Sequence, residues 1–196
     1  MGTSKLATVH HQEAYVAVDE GKLVNRSCAG DLDAFEDLVR IHQDRIYNLA
    51  YRITGNHEDA NDAAQDAFVR AYQALAGFRQ DAAFSTWLYR IATNAALDLV
   101  RRRPAIPPVE LPADQPGAAD PAVEVQRQEV HRRVHMAVGH LPAEYRAVVV
   151  LRDLQGLAYE EIARVLRIPI GTVRSRLSRG REVLRTHLTD LVTAEG

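Results

Sequence analysis

The sequence predicts an all-α fold: two small helical domains joined by an extended linker. Apolar residues recur at helical spacing in the segments on both sides of a central break, and no stretch alternates well enough for a β-strand. The break, Pro104 to Pro121, reads "PAIPPVELPADQPGAADP". It holds six of the eight prolines together with Glu110, Asp114 and Asp120, and no basic residue. Such a segment cannot bury a core and is expected to be extended and polyproline-like. The expected divisions are a disordered extension over residues 1–18, a helical domain over 19–103, the linker over 104–121, a second helical domain over 122–190 and a tail over 191–196.

A short helix is expected around Asp19 to Ala29. Asp31 is a natural N-cap for "LDAFEDLVRIHQDRIYNLAYRITG", in which Phe35, Leu38, Val39, Ile46, Leu49, Ala50 and Ile53 recur at helical spacing and Gly55 follows as a C-cap. A second long helix should run from about Glu58 to Ala76 and a third from about Phe84 to Arg103, separated by the loop "GFRQDAA". The second domain begins near Ala122 with "AVEVQRQEVHRRVHMAVGHLP", amphipathic and closed by Gly139 and Pro142. Three helices follow, at about Ala143 to Leu154, Tyr159 to Leu166 and Ile170 to Leu188.

Composition removes several classes of function. At 196 residues and 46% hydrophobic content the chain can form real cores. The single Cys28 excludes an intramolecular disulfide and a cysteine-based zinc site, in keeping with a reducing compartment. The first twenty residues contain no uninterrupted apolar stretch, and no run is long enough to span a membrane, so a soluble cytoplasmic protein is expected. Only Lys5 and Lys22 among the 24 basic residues are lysine, a bias that GC-rich coding explains as well as function does.

The stretch "GTVRSRLSRGR", Gly171 to Arg181, concentrates four Arg in a chain of net charge -2. The last two expected helices are short of one another by only "RIPIG", the layout of a helix-turn-helix whose second helix enters the major groove. At about 100° per residue, Val173, Leu177, Gly180 and Leu184 form one narrow stripe that should face the core. Thr172, Ser175, Ser178 and Arg179 then point away from it, with Arg174, Arg176 and Arg181 on the flanks. Many surface helices carry Arg opposite an apolar stripe. Between Leu157 and His187, however, seven Arg stand against three Glu, which favours DNA over a merely solvated face.

Other clusters are less specific. In "AAFSTWLYRIATNAALDLVRRR" the aromatic Phe84, Trp87 and Tyr89 crowd the start of a helix that ends in Arg101, Arg102 and Arg103. Aromatic faces stack on unpaired bases and Arg follows phosphates, but taken alone the pattern is equally that of core aromatics and a helix C-terminus complemented by positive charge. Glu58, Asp59, Asp62 and Asp66 form an acidic stripe, either solvated or facing a basic partner; one straight helix cannot build an oxygen cage for a metal. His131 and His135 lie one turn apart but lack a zincin glutamate or a third ligand, and are expected to face solvent. With no Gly-rich phosphate loop, nucleophile elbow or paired-carboxylate site in view, neither an enzyme active site nor a cofactor is expected.

The segments "DANDAAQDAFVRAYQALAGFRQDAAFSTWLYRIATNAALDLVRRR" and "LPAEYRAVVVLRDLQGLAYEEIARVLRIPIGTVRSRLSRGREVLR" closely resemble regions 2 and 4 of bacterial sigma-70 family factors, and in particular of the extracytoplasmic-function group, which lacks region 3. The resemblance covers about Asp19 to Leu188. It implies an alternative sigma factor, a specificity subunit of RNA polymerase without its own active site. The helix with Asp62, Gln65, Asp66, Phe68 and Arg70 would dock on the clamp of the largest core subunit, and region 4 on the flap of the second largest. Arg79, Asp81, Phe84, Thr86, Trp87 and Asn94 would read the -10 element as melted strand, with Arg101 and Arg102 on duplex phosphates just upstream. Arg174, Ser175, Ser178 and Arg179 would read the -35 element, with Thr172 beside them and Arg176 and Arg181 on phosphates. Promoter DNA and an anti-sigma protein are the further partners it implies.

Two positions depart from the pattern. Ala158 stands where many relatives carry Ser or Thr, which weakens a helix N-cap by about 1 kcal/mol. Arg167 stands where a turn glycine is common, with a similar small cost if the position is left-handed. The rival reading, a free-standing dimeric helix-turn-helix regulator, explains the second domain equally well. It leaves the aromatic helix, the acidic helix and the acidic linker as unrelated features.

Overall fold

The computed structural model describes residues 19–102 and 132–193, and all regular structure among them is helical. The expected N-terminal extension, the Pro-rich linker, Arg103, His131 and the first part of the second domain lie outside the described residues.

The first lobe consists of α1 (Glu20–Cys28), α2 (Leu32–Thr54), α3 (His57–Ala74), a single 3-10 turn at Leu75–Gly77 and α4 (Phe84–Arg102). Local chemistry sets the ends. Asp19 accepts from the Lys22 amide at 3.4 Å, Asp31 from the Ala34 amide at 3.1 Å and Asn56 from the Asp59 amide at 2.8 Å, each satisfying an N–H that the helix itself leaves unpaired. Gly55 closes α2 at φ +85, a backbone conformation that costs glycine little. Along α3 the buried face is Ala60, Ala63, Ala64, Ala67 and Ala71, whose small side chains let the helix pack closely against both α2 and α4. Leu38, Ile46, Leu49, Ile53, Leu75 and Leu88 fill the space between.

The second lobe consists of α5, helical over 132–139, α6 (Ala143–Val149), α7 (Tyr159–Leu166) and α8 (Ile170–Thr193), which runs five residues beyond the expected end. After Val149 the chain relaxes into one π turn, Val150–Leu154, closed by the Gln155 amide donating to the Val150 carbonyl at 3.0 Å. Val148, Val149, Val150 and Leu151 meet Ile162, Val165, Val173 and Leu177 in its core. Arg167 is left-handed, at φ 53, and the Ile168 amide reaches back to the Ala163 carbonyl at 3.1 Å, so the turn between α7 and α8 is built at a strained arginine rather than a glycine.

The two lobes pack against each other, α4 on α7 and α2 on α6 with its π turn. Arg146 donates across the seam to the Ile53 carbonyl at 2.6 Å. The Tyr51 ring lies between His57, at 4.5 Å, and His135, at 4.6 Å, both nearly parallel to it. His135 is therefore buried, 5% exposed, and the expectation that it faces solvent is corrected: the apolar run that follows it packs α5 on the lobe boundary and takes the imidazole inward.

Candidate nucleic-acid interface

The strongest candidate surface lies on α8. Val173, Leu177 and Gly180 are buried and Leu184 is half-buried, which leaves Arg174, Ser175, Ser178, Arg179 and Arg181 exposed. Thr172 and Arg176 are half-buried at the edges of that face, and the Ser175 hydroxyl donates back to the Thr172 carbonyl at 3.1 Å. Gly180 is the closest point of the packing face: a Cβ there would stand 2.8 Å from Val149 Cγ2 and 3.4 Å from Tyr145 Cβ. The helix thus rests directly on α6 and its opposite side is open. A groove lined by Tyr159, Arg174, Ser178, Arg181 and Arg185 runs along it.

Arg181 differs from its neighbours. Its Nε donates to Asp153 Oδ2 at 3.0 Å and its second guanidinium nitrogen to Asp153 Oδ1, a two-pronged pair that raises the arginine's pKa further. The π turn supplies this carboxylate. Next to it, Arg152 donates to the Leu157 carbonyl at 2.8 Å and lies 5.0 Å over the Tyr159 ring, fixing the approach to α7. At the start of α7, Glu161 Oε2 accepts from the Ala158 amide at 2.8 Å, the half of a capping box that remains when the N-cap is alanine.

On the first lobe, the segment expected to read an opened strand borders a cleft of about 510 Å³ at the seam. Phe78, Arg79, Trp87 and Arg90 line one wall, and Arg164, Val165 and Arg167 of the other lobe line the second. Trp87 is half-buried with its ring 4.8 Å from Phe78 and 5.6 Å from Phe84. Phe84 itself is only 6% exposed and 5.4 Å from the His42 ring. It belongs to the core as the floor under Trp87, and does not present a face of its own. Thr86 is also buried: its hydroxyl donates to Glu161 Oε1 at 3.2 Å, while the Tyr89 hydroxyl donates to Gln155 Oε1 at 3.2 Å. Arg79, Asp81, Asn94, Arg101 and Arg102 are exposed. Arg101 pairs with Asp98 at 3.6 Å.

On α3, Asp62 and Gln65 are exposed and Asp66 holds Arg70 one turn on at 2.9 Å. Phe68 packs on the core, and Asp59, in the same acidic stripe, is buried beside Asn56, whose amide donates to it at 2.6 Å. The face left for a partner is narrower than the sequence pattern. Val69, 49% exposed, and Tyr72, 45% exposed, extend it with apolar surface.

Sequence reasoning did not single out Asn25, Gln80, Arg146, Asp153 or Gln155, each of which orients this surface through a contact distant in sequence. Arg146 left a signal, an arginine directly before the apolar run "AVVVL".

Family comparisons agree with the division into lobes. The model described as Sigma-70 region 2 matches residues 38–105 and that described as Sigma-70, region 4 matches residues 131–184. The chain is 41% identical over 183 residues to the ECF RNA polymerase sigma factor SigW of Bacillus subtilis, covering 87% of this chain and 97% of that one. It is 39% identical over 182 residues to the RNA polymerase sigma-H factor of Pseudomonas aeruginosa, covering 87% and 94%. Among solved structures, CnrH in complex with the cytosolic domain of CnrY superposes with a TM-score of 0.63 at 28% identity, over 90% of this chain and 99% of that one. With both conserved regions matched in order and relatives aligned over nearly their whole length, the chain belongs to the sigma-70 family, in its extracytoplasmic-function group.

Proposed function

We propose that the chain binds core RNA polymerase and directs it to promoters, reading the -35 element as duplex with α8 and the -10 element as opened strand with the loop before α4 and the first turns of that helix. The observation that carries this reading is the division of α8 into a buried Val173, Leu177 and Gly180 seam and an exposed Arg174, Ser175, Ser178 and Arg179 face. A major groove admits one helix, and Arg is the side chain that takes guanine or phosphate with two parallel hydrogen bonds. The second half of the reader is Trp87 on its Phe78 and Phe84 floor, an aromatic platform on which an unpaired base can stack, with Arg79 beside it and Arg101 and Arg102 four turns on.

In this reading α3 docks on the clamp of the largest core subunit through Asp62, Gln65 and Asp66, and the second lobe on the flap of the second largest. The domains are those expected from sequence, 19–103 and 122–190, working in the cytoplasm and without chemistry of their own. A protein that holds the factor inactive is a further partner, supported by the complex in which the similar CnrH was solved. Thr86 lies under Glu161 of the other lobe, so the lobes part before it meets DNA.

The test is transcription in vitro by core polymerase on a library of genomic promoters, with and without the chain. Initiation at a defined set of sites is expected only with it. Tight operator binding by the chain alone, with no added initiation, would instead establish a free-standing regulator.

A further inference from the structure

The seven residues from Gly77 to Ala83 that lead into α4 contain a glutamine in an unusual backbone conformation. Gln80 has φ +57, in the left-handed region that L side chains rarely adopt and glycine adopts freely. A residue of this kind persists where its surroundings hold it. Here the hold comes from α1: Gln80 Nε2 donates to Asn25 Oδ1 at 2.8 Å, across 55 residues of sequence. Helix α1 also meets the 3-10 turn that leads into this segment, where Cys28 Sγ donates to the Leu75 carbonyl at 3.5 Å. It is in turn fixed to α2, by Arg26 donating to Asp31 at 2.8 Å and by Glu20 on His42 at 3.3 Å.

Gln80 sits between Arg79 and Asp81, whose side chains pair across it at 3.4 Å. Its φ therefore sets the direction in which both are presented. We propose that α1 is a brace for the -10 reading loop, and that Asn25 and Gln80 are positioning residues for base preference there although neither contacts the base. The inference rests on reading residues 77–83 as that loop. Both side chains are exposed, so their hydrogen bond competes with water: losing it broadens the loop's conformations and leaves the core of the lobe intact.

The experiment uses the full chain assembled with core polymerase and a promoter library randomised in the -10 and -35 elements. Initiation rates give the preference at each position for the wild type and for Asn25→Ala, Gln80→Gly and Asn25→Asp. Asn25→Ala and Gln80→Gly are each expected to flatten the -10 preference about threefold, the scale of one solvent-exposed hydrogen bond. The -35 preference, core binding and melting temperature stay as they were. Asn25→Asp keeps the acceptor oxygen and is expected to keep the preference. An unchanged -10 profile in both disrupting variants, or an equal loss over all promoters whatever their sequence, overturns the brace. Arg79→Ala and Trp87→Ala separate the two levels: if they flatten the -10 profile and Asn25→Ala does not, the brace alone falls, and if they too leave it unchanged, the loop reading falls and takes the brace with it.

Discussion

Arg146 belongs to the second lobe, yet its guanidinium donates to the carbonyl of Ile53 in the first, 2.6 Å away, while its other amino group reaches the carbonyls of Gly139 and, at 3.0 Å, Leu141. One side chain thus satisfies the last turn of α2 and the loop before α6. Burial lowers its pKa, but a guanidinium keeps its proton in a protein, so the buried charge is compensated by the three carbonyls. Arg146→Met is expected to destabilise the chain by about 2–4 kcal/mol, because carbonyls at the lobe boundary lose a charged donor. Urea unfolding followed by helical circular dichroism measures this, and an unchanged midpoint would refute it.

His135 makes the same boundary sensitive to acid. Burial, with Arg52, Arg146 and His57 adding to it, pushes its pKa down from 6.5 to about 4, against a smaller opposing effect from a hydrogen bond to the Gly55 backbone. The unfolded chain therefore binds more protons than the folded one between these values. Stability contributed by neutral His135 is present above pH 6.5 and is lost as the pH falls toward 4, by on the order of 3 kcal/mol in all. His42, lowered chiefly by burial, adds a slope of the same sign. Urea midpoints across this pH range should fall less steeply for His135→Phe, which keeps a ring against Tyr51, than for the wild type.

Trp87 is the only tryptophan in the chain and lines the seam cleft, so it reports on whether the lobes are together. Thr86→Val with Tyr89→Phe removes the hydrogen bonds from α4 to Glu161 and Gln155 across the seam, at little change in volume. Iodide quenching of the double variant should exceed that of the wild type at equal helical content. Equal quenching would show that these bonds do not hold the cleft closed.

The Asp153 pair gives Arg181 a different expectation from the arginines beside it. Each phosphate contact contributes about one counterion to the salt dependence of duplex binding. With its guanidinium already on a carboxylate, Arg181→Ala should leave the slope of log K against log salt for -35 duplex nearly unchanged, whereas Arg179→Ala should lower the affinity clearly. Asp153→Ala, by freeing Arg181, should steepen the slope by about one. The reverse order would place Arg181 on the DNA and Asp153 at the margin.

Much of the fold was legible because its signals are local. Asp31 and Gly55 delimit α2 through their own backbone chemistry, and Tyr159 to Leu166 is bounded by residues within one turn of each end. The partition of α8 was legible for a related reason: helical period alone separates Val173 and Leu177 from Ser175 and Ser178. What escaped depends on contacts remote in sequence. Nothing near Phe84 says that His42 occupies its other side, and nothing near Thr86 announces Glu161. Asp59 joins an acidic stripe in sequence, but Asn56 and the start of α3 turn it inward.

The close approach at Gly180 separates two kinds of heritable change. A methyl group there meets Val149 at a distance real side chains do not tolerate, so Gly180→Ala acts on the tilt of the whole helix. Replacement of Ser175, Ser178 or Arg179, whose side chains meet nothing on that seam, leaves the tilt alone. If α8 reads the -35 element as proposed, a gene duplicate can therefore acquire a new set of target sites through single substitutions that remain silent in folding, provided this one glycine is kept.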